Sequence, residues 1–262
     1  MPIDTALAGQ QIDAGGIVFL YALSEEARHF GGMIQCNSVS GAKSPDANVS
    51  ENRSAGGFKA FPIGVGPDNA VRHTSFICRK EHPLRALVIV GFAGGLDDRL
   101  LPGDLVLVDE VVDAQSSTRY SCDPDLLAVS ERVRLSGFQI ERGLCVSVHQ
   151  VLIQAAEKRT LAAKTGAIVV DMESAGAAEA AARNGVPWIA VRVITDGLND
   201  DLPLDFNALA NSDGSVNRAR VALSALLHPW KIPGLIRLGF RSDRAARNLG
   251  VFLQALAPLL SK

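Results

Sequence analysis

The stretch Val169-Val-Asp-Met-Glu-Ser-Ala-Gly-Ala-Ala178, followed by Pro187-Trp-Ile-Ala-Val-Arg-Val-Ile-Thr-Asp196, decides the fold. Residues 167–170 form an apolar run of strand length that leads straight into two acids, Asp171 and Glu173. An alanine-rich helix is predicted over 176–184, with Gly185 placed to stop it. A second apolar strand follows and ends in Arg192 and Asp196. Strands alternating with helices build a largely parallel α/β sheet, whose ligands bind outside the carboxyl ends of the strands. Each acid alone has a plainer use. Asp171 fits a helix N-cap, Glu173 fits the dipole of the first turn, and Asp196 in Thr-Asp-Gly fits a turn cap. Their joint occurrence in this order marks a candidate site.

The same alternation extends outward in both directions. Strands are predicted at 16–21, 58–65, 86–90, 104–112 and 144–148, and helices at 69–80, 124–136, 154–164, 216–227 and 242–260. Ser24 is a plausible N-cap for a helix over 24–30. The polar, glycine-rich region 36–57 reads as a hairpin or loop excursion. The expected fold class is α/β: a single domain over residues 1–262 with a mixed, mostly parallel central sheet flanked by helices. Residues 226–262 are expected to form a C-terminal helical extension.

Bulk properties exclude several function classes. At 262 residues and 47% hydrophobic, the chain can bury one large core. A net charge of −2 gives no general attraction to nucleic acid. No apolar run is long enough to span a bilayer, and no charged-apolar-small leader is read. Cys36, Cys78, Cys122 and Cys145 are scattered without a CxxC pair. A reducing, cytoplasmic setting is therefore expected, with neither disulfides nor a metal site. The histidines show no metal-ligand spacing, and there is neither a GxGxxG fingerprint nor a P-loop. No cofactor is expected.

Several residues can carry chemistry. Gly94-Gly95 would let backbone approach a ligand closely, although a tight turn explains the pair equally well. Glu26, one turn past the first strand, could orient or deprotonate a water. Glu173 could accept both hydroxyls of a ribose. Met172 offers a soft apolar surface for a sugar or thioether. Asp196, preceded by Thr195, could act as a general acid if burial raises its pKa. Arg192 could pair with a carboxylate and hold the cluster together.

These pieces carry a family resemblance. Ala22-Leu-Ser-Glu-Glu26, Gly91-Phe-Ala-Gly-Gly-Leu-Asp97, Pro102-Gly-Asp-Leu-Val106, Val170-Asp-Met-Glu173 and the run from Gly185 to Asp196 appear in that order. Together they resemble the purine nucleoside phosphorylase and nucleosidase superfamily, nearest its methylthioadenosine/adenosylhomocysteine nucleosidase branch. The resemblance implies that Glu26 positions the attacking water and that Ala93 and Gly94 line the site beside the ribose. It implies that Met172 and Glu173 bind the sugar, that Asp196 protonates N7 of the departing purine, and that Arg192 supports the water and acid cluster. Phosphorylases of this superfamily tend to carry Gly-Asp-Pro-x-Arg near the first strand. Here Ser24-Glu-Glu-Ala-Arg28 stands instead, and a carboxylate repels phosphate. Hydrolysis is expected over phosphorolysis, which is the alternative. Val151 stands where the nucleosidase branch usually stacks an aromatic on adenine, so base recognition falls partly to other residues.

The segment from Leu226 to Phe240 is a second departure, since standard nucleosidases lack it. It mixes Trp230, Ile232, Leu235, Ile236, Leu238 and Phe240 with Lys231, Arg237 and Arg241. A helix docked on the sheet is the plain reading. The other is an apolar lid or a peripheral membrane contact through 226–241. The tail resembles that of the hopanoid-biosynthesis-associated nucleoside phosphorylase branch, which implies adenosylhopane as substrate. The expected partners are a small nucleoside, phosphate in the phosphorolytic alternative, no nucleic acid, and a second copy in a homodimer. A non-catalytic nucleoside-binding protein is the rival reading, and the set Glu26, Glu173 and Asp196 argues against it.

Overall fold

A computed structural model describes residues 16–32, 34–36, 58–209 and 227–261. All but the last residue of the predicted helix over 216–227, and most of the 36–57 excursion, lie outside the described residues. Nine strands form one sheet: β1 (Gly16–Tyr21), β2 (Ile34–Cys36), β3 (Phe58–Pro62), β4 (Leu84–Gly95), β5 (Leu105–Asp113), β6 (Arg119–Ser121), β7 (Ile140–Ser147), β8 (Val169–Asp171) and β9 (Trp188–Asp196). The helices are α1 (Pro67–Lys80), α2 (Pro124–Ser130), α3 (Ala155–Thr165), α4 (Ser174–Arg183), α5 (Phe206–Leu209) and α6 (Ile232–Leu260). The strand order is β2-β3-β1-β4-β8-β7-β5-β6, with β9 pairing both β4 and β5. Most pairs are parallel. The antiparallel ones are β4 with β8, β5 with β6 and β5 with β9. This is the expected single α/β domain with a mixed, mostly parallel sheet.

The pairings also close a ring, because β4, β9, β5, β7 and β8 hydrogen-bond in turn and β8 returns to β4. The closing contact sets Gly94 opposite Val170 and Gly95 opposite Val169. A Cβ on Gly94 would stand 3.1 Å from Val170 Cγ1. Gly94-Gly95 is thus the end of a twelve-residue strand and not a turn. The strand predicted over 86–90 runs five residues further, to Gly95. Glycine reads as a breaker from local propensity, whereas here its missing side chain lets two strands approach.

Two helix boundaries also differ from the sequence reading. α2 ends at Ser130, six residues early, and α6 starts at Ile232, ten residues before the expected start. Pro233 falls in the first turn of α6, where proline is tolerated because its missing N–H would have no partner. Ser24 does not cap a helix. Its hydroxyl bonds Glu25, and residues Glu26–His29 form a single 3₁₀ turn.

β4, β5 and β9 are buried almost end to end, as expected of strands covered on both faces. The second half of α6 buries Leu249, Phe252, Leu253, Leu256 and Leu260 in the same core. Gln254 on that helix donates to His29 O at 3.2 Å, which ties it to the turn carrying Glu26. The first half of α6 is different. Trp230 just before it and Phe240 on it are 70% and 72% exposed.

Candidate active site

The candidate residues gather at the carboxyl ends of β1, β4, β8 and β9. Glu26 is buried in the turn after β1. Its Oε2 accepts from the amides of Ala22 (2.8 Å) and Leu23 (3.0 Å), and its Oε1 from the amide of Phe92 (2.9 Å). A carboxylate has about four acceptor positions, so three backbone donors fix Glu26 and leave room for one more. Burial raises its pKa, and the three amides and the Arg192 charge pull against that rise.

Arg192 lies next to Glu26 across Gly91. A Cβ on Gly91 would overlap Arg192 Nη1 and stand 2.9 Å from Glu26 Oε1. The guanidinium ion-pairs with Asp171, and both side chains are sealed from solvent. It also donates to Ser174 Oγ, from Nε at 3.0 Å and from Nη2 at 2.7 Å. Asp171 in turn accepts from Ser174 N at 3.0 Å and from the Ser147 hydroxyl. So Asp171 both caps the first turn of α4 and neutralises Arg192.

Glu173 follows, buried at the N-terminus of α4. Its Oε1 accepts from Gly66 N at 2.9 Å. Gly66 precedes Pro67 with φ of 88°, a backbone state that side chains disfavour. Burial pushes Glu173 up to about 7, and the neighbouring Asp171 adds to the rise while Arg192 and the Gly66 amide oppose it.

Asp196 closes β9 and sits opposite Gly94. A Cβ on Gly94 would stand 3.3 Å from Asp196 Oδ2. The Thr195 hydroxyl donates to Asp196 Oδ1 at 2.7 Å and lies 3.3 Å from Ala93 O. The other oxygen is ion-paired with Lys158 of α3, which is 1% exposed. Lys158 also donates to Gly197 O and Asp200 O, each at 3.0 Å. Arg192 pairs with a carboxylate, Asp171, and stands on the Glu26 side of the site, while Asp196 pairs with Lys158.

Glu26 meets β4 at Gly91 and Phe92, and Asp196 meets it at Gly94. The two contact points lie two to three residues apart along β4, about 7–10 Å of strand. Met172 is half-buried between Asp171 and Glu173. Val151 lies before α3 and is clamped by Asn207, whose side chain accepts from Val151 N (2.8 Å) and donates to Val151 O (2.9 Å). A smaller cavity of ≈ 240 Å³ reaches Asp196 and is lined also by Pro203, Trp230, Arg237 and Arg241. A wider groove of ≈ 730 Å³ adjoins it through the same two arginines and is walled by Leu101, Pro102, Pro233, Ile236 and Phe240.

Gly66, Lys158 and Ser174 also belong to the site, although the sequence does not single them out. Gly64-Val-Gly-Pro67 after a strand is a readable signal only for the first. Lys158 sits in Glu157-Lys-Arg159, where nothing distinguishes a buried lysine from its solvated neighbours.

A sequence model of the phosphorylase superfamily matches residues 57–228. The chain belongs to that superfamily. The 5′-methylthioadenosine/S-adenosylhomocysteine nucleosidase of Mycobacterium tuberculosis is 27% identical over 183 residues, covering 54% of this chain and 70% of that protein. The solved structure of a putative nucleosidase of the same name from Borrelia burgdorferi, bound to adenine, superposes with a TM-score of 0.70. It is 17% identical and covers 93% of this chain and 99% of its own. The Helicobacter pylori nucleosidase with butyl-thio-DADMe-Immucillin-A gives a TM-score of 0.67 at 15% identity, covering 94% and 99%. At these identities the solved structures show the shared fold.

Proposed function

We propose that this protein hydrolyses the N-glycosidic bond of an adenosine-like nucleoside whose 5′ carbon bears a large apolar group, adenosylhopane being the substrate that fits. Hydrolysis is supported by the names of its relatives, which are nucleosidases, and by Glu26, a fixed carboxylate with one acceptor position left for a water. Burial lifts its proton affinity toward that of a useful general base. Glu173, held through Oε1 by Gly66, presents Oε2 to the ribose hydroxyls. Met172, Ala93 and Gly94 flank the sugar, and Val151 lies toward the base. Asp196, oriented by Thr195, passes a proton to N7 as the bond breaks. Arg192 acts on the Glu26 side and keeps that carboxylate in place.

One observation carries the apolar substituent. The cavity at Asp196 and the ≈ 730 Å³ groove of Leu101, Ile236 and Phe240 lie side by side and share Arg237 and Arg241 in their linings. Burying one such side chain against a ligand is worth about 1.5–3 kcal/mol. The same exposed face, with Trp230 and Phe240 beside Lys231, Arg237, Arg241 and Arg244, suits a peripheral contact with the bilayer that would hold such a substrate. The chain works as one domain, with residues 226–262 as its substrate-covering extension, and pairs as a homodimer.

The test is adenine release from a panel of 5′-substituted adenosines, with and without phosphate. Turnover should rise with the apolar size of the substituent and ignore phosphate. Release that depends on phosphate would make the enzyme a phosphorylase, and best activity on methylthioadenosine would remove the apolar substrate class.

A further inference from the structure

Lys158 is a buried cation that the mechanism above leaves unused. It stands at the first turn of α3, whose start is pinned by Glu157 on the amides of Ile153 (3.0 Å) and Gln154 (2.8 Å) and by Asp201 on Ala155 N (2.8 Å). An ammonium group has three donors, and all three are used: one on Asp196 Oδ2, one on Gly197 O and one on Asp200 O. Asp196 therefore receives Lys158 on one oxygen and Thr195 on the other. Both oxygens of Asp196 thus already accept a hydrogen bond, and the one from Lys158 comes from a cation with protons to spare. N7 of the leaving purine needs one.

We propose that Lys158 supplies that proton through Asp196. This rests on the reading of Asp196 as the acid for the departing base. As C1′–N9 breaks, its electron pair stays with the purine. N7 takes a proton from Asp196 Oδ2, and Oδ2 takes one from Lys158 Nζ. Water adds to C1′ and loses its proton to Glu26. Asp196 ends as it began, a carboxylate. Lys158 ends as a neutral amine and Glu26 as a neutral acid, and exchange with solvent restores both. The seat suits the amine. Its two remaining N–H bonds keep Gly197 O and Asp200 O, and the Asp196 carboxylate beside it draws a proton back from solvent to restore the ammonium. Lys158 does not touch the nucleoside and is a positioning residue that acts through Asp196.

A leaving group that needs no proton separates this role from mere packing. K158M and wild type are compared on 5′-methylthioadenosine and on p-nitrophenyl riboside, whose nitrophenolate departs as an anion. K158M should lose about 10²–10⁴ in kcat on the adenine nucleoside, the usual contribution of a positioned acid, with KM little changed. The nitrophenyl substrate should fall far less. Equal losses on both substrates, or retained adenine release, overturn the proposal. If K158M fails to fold, K158R serves, because a guanidinium keeps its charge but gives up no proton. It should show the same selective loss, and wild-type adenine release by K158R overturns the proton supply. D196N is run in parallel. If D196N keeps adenine release, the acid assignment itself is wrong. If D196N is inert and K158M is active, only the Lys158 step is lost.

Discussion

Gly91→Ala tests the packing that holds the catalytic carboxylate. The added methyl would overlap Arg192 Nη1 and stand 2.9 Å from Glu26 Oε1. Neither side chain can yield freely. Glu26 and Arg192 are 2% and 1% exposed, Glu26 is held by three amides, and Arg192 is locked to Asp171 and Ser174. Forcing one extra carbon into a packed interior costs about 1–3 kcal/mol. For a domain of this size that lowers Tm by roughly 2–12 °C. The carboxylate must also shift by about 1 Å, and a misplacement of that size costs about 10²-fold in rate. The assay pairs thermal unfolding with adenine release. Gly95→Ala is the control, because its Cβ would meet nothing closer than 3.5 Å. Gly91→Ala with wild-type Tm and turnover would refute the claim that this glycine makes room for the Glu26–Arg192 pair.

Three further outcomes follow from the site. Asp171→Ala should cost about 3–5 kcal/mol in denaturant unfolding, because it strands the buried Arg192 charge; a loss under 1 kcal/mol would show that Ser174 alone satisfies the guanidinium. Glu173 is raised from 4.5 to about 7 in the folded state, so its stabilising contribution is complete below pH 4.5 and is lost as pH rises through 7. Wild type should therefore lose stability relative to Glu173→Gln across pH 4.5–7, by on the order of 3 kcal/mol, and parallel pH profiles of the two proteins would contradict the shift. Replacing Trp230 and Phe240 by serine should weaken turnover of lipophilic 5′-substituted adenosines and spare methylthioadenosine, while equal losses with a lower Tm would assign the two residues to packing.

Sequence alone determined the elements whose information is local. The apolar runs at 16–21 and 104–112 and the alanine-rich stretch after Glu173 needed no tertiary context. Their alternation gave the α/β class. Glu173 and Asp196 stand out for a related reason, since a charged group just after an apolar strand contrasts with its neighbours, whereas Glu26, in a separate turn past β1, gains its weight from the family resemblance. Tertiary structure decided what depends on pairs of residues far apart in the chain. Gly94-Gly95 looked like a turn because nothing local shows that β8 arrives from seventy-odd residues away to pair with it. Arg192 could be assigned to either acid until the fold set Asp171 against it and gave Asp196 to Lys158. Lys158 itself is one charged residue among three in an exposed-looking helical turn. Its burial comes from the 196–200 loop folding over it, and that contact exists only in three dimensions.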